Sequence, residues 1–152
     1  MAVRRVFKLG DDVLRKKCKP VEKYDERLYE LLDDLQDTLH EIGGLGLAAP
    51  QVGMLRRVCI VESEDKIYEL INPTIIYESK EQLIDNEGCL SIEEYRGIVR
   101  RAKEVKVHYY DRFGNECDVS ASDYEARAFL HEIDHLDGIL FVDKMIRKAP
   151  KN

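Results

Sequence analysis

The stretch from Phe129 to Phe141 reads FLHEIDHLDGILF, and within it His131, Glu132 and His135 form H-E-x-x-H. On a helix, residues four apart share a face, so both imidazoles can grip one metal ion. Glu132 stands one position from His131 and three from His135, which lets its carboxylate flank the ion without binding it. That is the placement of a general base for a metal-activated water, since a bound divalent ion lowers the pKa of water from about 15.7 to about 7. The chemistry this implies is hydrolysis. A helix with two chance histidines and a glutamate would carry the same letters, however, and a catalytic site needs a further protein ligand.

Downstream sequence does not provide that ligand. In the pattern H-E-x-x-H-x-x-G-x-x-H, Gly138 fits but Phe141 occupies the position of the last histidine. No glutamate follows Glu132; Asp137 is too close along the helix and Asp143 lies just beyond it. The further ligand must therefore come from upstream, where Cys89 in NEGCLS is the strongest candidate, because a thiolate is a strong ligand for zinc or iron and the neighbouring Gly88 permits close approach. Cys59 within an apolar run and Cys18 near the N-terminus read as buried or incidental thiols, and Cys117 has no partner nearby in sequence. A third stretch, GGLGLAAPQVG from Gly43 to Gly53, combines small residues with the polar Gln51. It reads as backbone built to lie against a ligand, or as a plain loop leaving a helix.

These residues must be positioned by regular elements. Asp11 to Lys17 suggests a short helix. Asp25 to Ile42 places Leu28, Leu31, Leu32, Leu35, Leu39 and Ile42 on one stripe, which predicts a long amphipathic helix ended by Gly43 and Gly44. Its other face carries Asp33, Asp37, His40 and Glu41, whose spacing imitates a metal site but reads better as a solvated surface. RRVCIVES predicts a buried strand, and IYELINPTIIYES predicts extended segments interrupted at Asn72 and Pro73. In KEVKVHYYDRFGNECDVSA, Val105, Val107 and Tyr109 alternate with Lys106, His108 and Tyr110 before a turn at Asp111 to Asn115, which predicts a hairpin with His108 facing solvent. Ser122 and Glu125 have the spacing of a capping box that opens the H-E-x-x-H helix, and Gly138 is its natural stop. On that helix Tyr124, Ala128, His131 and His135 form one stripe beside an apolar one of Phe129, Ile133, Leu136 and Leu140. The order of helix, strands and helix predicts an α+β fold.

Length and charge narrow the function classes. At 152 residues the chain is expected to form a single domain over 1–152. Net charge is −6 with basic residues scattered, so there is no electrostatic footprint for nucleic acid. Four cysteines without a C-x-x-C pair, no signal peptide and no long apolar run point to the cytoplasm, with neither a disulfide framework nor a membrane. The N-terminal MAVRRVFKLGDDVLRKK is basic, but it contains acids and little serine, so it reads as a native start. The short basic tail RKAPKN does not change this.

Taken together, GLGLAAPQ (Gly44 to Gln51), EGCLS (Glu87 to Ser91) and HEIDHLDG (His131 to Gly138) resemble, in the same order, the G-x-G-L-A-A-x-Q, E-G-C-L-S and H-E-x-D-H-L-x-G motifs of peptide deformylases. DDVLRKKCKPV, LINP and VKVHYYDRFGN also look like family segments, so the resemblance spans nearly the whole chain. It implies an α+β fold of mixed, mostly antiparallel sheets packed around a central helix that carries H-E-x-x-H. It also implies hydrolysis of the formyl group from the N-terminal formylmethionine of new proteins. Carried over, Cys89, His131 and His135 become the metal ligands and Glu132 the acid/base. Gln51 and the Leu90 backbone N–H become donors to the formyl oxygen, and Leu45 and Gly46 pair with the substrate backbone. Tyr124, Arg127 and Ala128 become part of the methionine pocket. The family's metal is Fe²⁺ as a rule, with Zn²⁺, Ni²⁺ or Co²⁺ as substitutes, and its partners are N-formylmethionyl nascent peptides with transient ribosome contact. Two departures stand out: Leu130 where many members have glutamine, and VRRA (Val99 to Ala102) where many have V-x-R-P. Both are expected to affect packing or substrate contacts only. A chain stopping at Asn152 is not expected to dock on the ribosome through a long C-terminal helix. A small H-E-x-x-H metallopeptidase and a non-catalytic metal-containing binder are the competing readings. The missing downstream ligand argues against the first, and the intact Glu132 and Gln51 against the second.

Overall fold

The computed structural model describes residues 2–64 and 66–150. A helix α1, Glu26–Ile42, is followed by a short strand β1, Gly46–Ala48, and by strands β2, Val58–Ser63, and β3, Lys66–Glu78. Strands β4, Gln82–Cys89, and β5, Ile92–Ala102, form a hairpin, as do β6, Glu104–Tyr110, and β7, Glu116–Ser122. Helix α2, Asp123–Leu136, a single turn α3, Phe141–Lys144, and strand β8, Met145–Lys148, complete the described chain. The strands form two antiparallel sheets, one ordered β1-β2-β3-β6-β7 and the other β4-β5-β8. The predicted α+β class is therefore observed.

The apolar run of β2 shows why this sheet is sandwiched. Val58 and Ile60 face one way, into the cluster with Leu28, Leu31, Leu32, Leu35 and Leu39 of α1. Cys59 and Val61 face the other way, into the cluster with Phe129, Leu130, Ile133 and Leu136 of α2. A strand buried on both faces needs no polar alternation. Each fully buried leucine of α1 contributes on the order of 1.5–3 kcal/mol relative to leaving it exposed. The Asp25 carboxylate caps α1 by accepting from the Leu28 N–H at 3.2 Å, and Gly43 ends it at φ 82°.

Several local expectations change. The helix foreseen over Asp11 to Lys17 is one 3₁₀ turn, Asp12–Arg15. The Gly43 to Gly53 stretch is more than a loop, since it supplies β1 and a 3₁₀ turn, Ala49–Val52. Asn72 and Pro73 do not break β3 but shift its register, with Asn72 at φ 51° and its amide exchanging hydrogen bonds with the Val21 backbone. Ser122 does precede α2, but it belongs to β7 and makes no side-chain cap; Glu125 instead accepts a hydrogen bond from the Ser63 hydroxyl, so the capping box is not formed. Asp123 turns the chain at φ 55°, with its N–H donated to Lys103 O at 2.7 Å. Gly138 does stop α2, at φ 74°, where an added Cβ would lie 2.5 Å from Arg15 O. The β6–β7 hairpin has the predicted alternation, and its His108 is half-buried beside the carboxylates of Asp118 and Glu116. The tail residues 151–152 lie outside the described residues.

Candidate metal centre

Cys89 at the end of β4 meets His131 and His135 of α2 in one cluster, with a donor atom of each within 4.8 Å of the others. The Cys89 Sγ lies 3.3 Å from His135 Nε2. No other group of three or more His, Cys, Asp or Glu among the described residues has this geometry, so the acids and His40 of α1 do not form one. Both histidines are buried while Cys89 is half-buried at the wall of a cavity of about 350 Å³. Two imidazoles and a thiolate suit a transition-metal ion, and three protein ligands leave coordination positions for water and substrate.

The orientation of His131 is fixed from behind. Its Nδ1 lies 2.7 Å from Glu87 Oε2, and an ionised carboxylate can only accept, so Nδ1 carries a proton and, in the neutral imidazole, the lone pair is on Nε2, facing the cluster. Glu87 accepts from three further donors. Arg101 Nε reaches Oε1 at 3.1 Å, Arg101 Nη2 reaches Oε2 at 2.6 Å, and Arg127 Nη1 reaches Oε1 at 3.0 Å. Burial would raise the Glu87 pKa, but the hydrogen bonds from His131 and Arg101 outweigh it and hold the carboxyl well below the usual range. Arg101 also donates to Asp134 at 2.6 Å, tying β5 to α2. The VRRA segment therefore reaches His131 through Glu87, a larger part than packing or substrate contacts alone. Leu130, the other departure, is core, packed with Val105 and Val107.

Glu132 is buried, with Oε2 4.0 Å from His131 Nε2 and with Oε1 bonded to no described group. Burial pushes its pKa up to about 7, against the opposing pull of His131. A carboxyl poised there can take and return a proton near neutral pH. A buried carboxylate oxygen without a partner is costly unless something polar meets it, so the donor set and this oxygen together fit a metal with a water beside Glu132. Gly46 makes the close approach possible: an added Cβ would lie 2.8 Å from Glu132 Cγ, Glu132 Oε2 and Ile60 O.

Gln51 is held rigidly. Its Oε1 accepts from the Ala48 N–H at 2.9 Å, leaving Nε2 to donate to Ser91 Oγ at 3.1 Å, with Cys89 Sγ at 3.6 Å. Leu45, Gly46, Gln51, Leu90, Tyr124, Arg127, Ala128, His131 and Glu132 all line the cavity, so the residues expected from sequence lie together. Tyr124 is exposed at 58% and Leu45 at 40%, which puts both at the mouth, whereas Arg127 is buried. Glu87, Arg101, Asp134 and Ser91 escaped sequence reasoning. Glu87 opens the EGCLS motif two residues before Cys89, a spacing that can share one strand face, but nothing in the sequence signalled its hydrogen bond to His131.

The sequence matches the family described as polypeptide deformylase over residues 3–151. It is 51% identical over 147 residues to a peptide deformylase of Caldicellulosiruptor bescii, covering 97% of this chain and 88% of that one. The fold is similar to the crystal structure of peptide deformylase from Thermotoga maritima, with a TM-score of 0.93 at 37% identity, covering 99% of this chain and 100% of that one. A Met-Ala-Ser-bound class I type b peptide deformylase from Acinetobacter baumannii is similar at a TM-score of 0.91 and 37% identity, covering 94% and 98%.

Proposed function

Since this chain belongs to the peptide deformylase family, we propose that Cys89, His131 and His135 hold the metal ion while Glu132, Gln51 and the Leu90 N–H act on the formyl group. The protein is a metal-dependent hydrolase that removes the formyl group from the N-terminal formylmethionine of new proteins. The observation that carries the assignment of roles is the clustering of the Cys89 thiol with both imidazoles, beside a cavity that Cys89, His131 and Glu132 line and where Glu132 Oε1 has no described partner. The A. baumannii relative with bound Met-Ala-Ser supports a peptide of that kind as a ligand of this chain.

A divalent ion held there would acidify water and polarise the formyl carbonyl. Glu132 takes the proton of the attacking water and passes it to the leaving amine, a transfer suited to a carboxyl near neutrality. Gln51 Nε2, fixed by Ala48 and Ser91, donates to the formyl oxygen as negative charge develops, and the Leu90 N–H is its second donor. Gly46, the first residue of the edge strand β1, and Leu45 just before it offer backbone groups to an extended peptide. Tyr124, Arg127 and Ala128 surround the methionine side chain. Fe²⁺ is the proposed cellular ion, with Zn²⁺, Ni²⁺ or Co²⁺ able to replace it. The proposal treats residues 1–152 as one catalytic domain working in the cytoplasm on nascent peptides, with transient ribosome contact. No described helix is long and apolar enough to cross a membrane.

The test is formate release from formyl-Met-Ala-Ser by anaerobically prepared, Fe²⁺-loaded protein, beside Glu132→Ala. Wild type releases formate, and the variant loses at least about a hundredfold in kcat while keeping stoichiometric metal. Cleavage of unformylated peptides instead would support a metallopeptidase, and no turnover from metal-loaded wild type would support a non-catalytic binder.

A further inference from the structure

Arg127 takes part in two structures at once. Its side chain lines the cavity beside Tyr124 and Ala128, and its guanidinium is buried against the carboxylate that orients His131. Nη1 donates to Glu87 Oε1 and to Val99 O, each at 3.0 Å, and Nη2 donates to Leu83 O at 3.0 Å. Leu83 lies on β4, Val99 on β5 and Arg127 on α2, one helical turn before His131. The fork geometry of a guanidinium makes these bonds directional, so the side chain cannot shift within the cavity without turning Glu87. Glu87 Oε2 is in turn 2.7 Å from His131 Nδ1.

We infer that Arg127 is a positioning residue that links recognition of the substrate's first side chain to the orientation of the metal ligand His131. The inference rests on the deformylase reading and adds a residue the reaction uses without touching the reacting atoms. Two neighbours serve as controls, because each shares only one of the two structures. Tyr124 lines the cavity and has no hydrogen bond to Glu87, whereas Arg101 holds Glu87 and does not line the cavity.

The experiment compares wild type, Arg127→Met, Arg127→Lys, Arg101→Lys and Tyr124→Leu, each loaded with Co²⁺, in three readouts. The first is selectivity, the ratio of kcat/KM for formyl-Met-Ala-Ser over formyl-Ala-Ala-Ser. The second is the visible Co²⁺ absorption spectrum, and the third the rate of metal loss to a chelator. In Arg127→Met selectivity falls about tenfold, the spectrum shifts, and metal loss accelerates about tenfold. Arg127→Lys, which retains the charge on a single donor nitrogen, recovers part of both effects and guards against a folding defect in the methionine variant. Arg101→Lys changes the spectrum and metal loss with wild-type selectivity, and Tyr124→Leu does the reverse. Altered selectivity with a wild-type spectrum and wild-type metal loss in both Arg127 variants would overturn the inference, as would unchanged selectivity in both. Failure of wild type to release formate would count against the functional reading instead.

Discussion

Helices α1 and α2 both carry histidine among carboxylates at helical spacing, yet their fates are opposite. On α1, Asp37, His40 and Glu41 are exposed, and Asp33 pairs with Arg112 at 2.9 Å. On α2, His131, Glu132 and His135 are all buried. Residue type and spacing do not distinguish the two sets; what faces them does. The leucine stripe of α1 turns towards β2 and leaves its polar face to water. Helix α2 has a second wall, because β1, the 3₁₀ turn Ala49–Val52 and β4 close over its polar stripe and bring Gly46, Gln51, Glu87 and Cys89 towards it. A histidine cluster becomes chemistry when a second layer supplies the missing ligand, the proton-orienting carboxylate and the exclusion of water.

That contrast can be strained most severely at Gly46. Gly46→Ala places a methyl group where Glu132 and Ile60 O already are, and kcat should fall on the order of a hundredfold. Circular dichroism and metal analysis should show the protein folded and loaded. Unchanged kcat would mean that β1 does not confine Glu132. A milder intervention is Glu87→Gln, which keeps the shape but weakens the hold on His131 Nδ1; metal should dissociate at least about tenfold faster in a chelator chase. Equal rates would reduce Glu87 to a support for Arg101. The smallest effect belongs to α1: replacing His40 and Asp37 together with alanine should leave formate release unaltered and shift unfolding by no more than about 0.5 kcal/mol by urea titration. Any loss of activity there would dissolve the distinction between the two helices.

Legibility followed the same division. The H-E-x-x-H helix, its stop at Gly138, the leucine stripe of α1 and the β6–β7 hairpin are local patterns, and all were readable. Cys89, Gln51 and the Gly44 to Gly46 segment were readable because their own short motifs mark them. The charged cluster behind His131 was not, since it unites partners separated by 14, 40 and 44 residues and exists only once β4, β5 and α2 are packed. The capping box at Ser122 misled for a related reason. Pairing of Ser122 with Glu104 commits it to the sheet, and tertiary contact with Ser63 takes Glu125 away.

If Cys89, His131 and His135 are the ligands, as proposed, their separation has a consequence for how the chain would acquire an ion. Cys89 and His135 are 46 residues apart, and Cys89 ends a strand of one sheet while α2 packs on the other. Closing that span costs chain entropy that the two neighbouring histidines alone do not repay, so a partly folded chain has only a weak, two-donor hold on metal. High affinity therefore arises late in folding, and by mass action the ion stabilises the native state over the unfolded one by RT ln(1 + [M]/Kd). An ion held by these three residues would serve as a clasp between the sheets: a chain stripped of metal should open first at the junction of β4 and α2, and proteases should find it there.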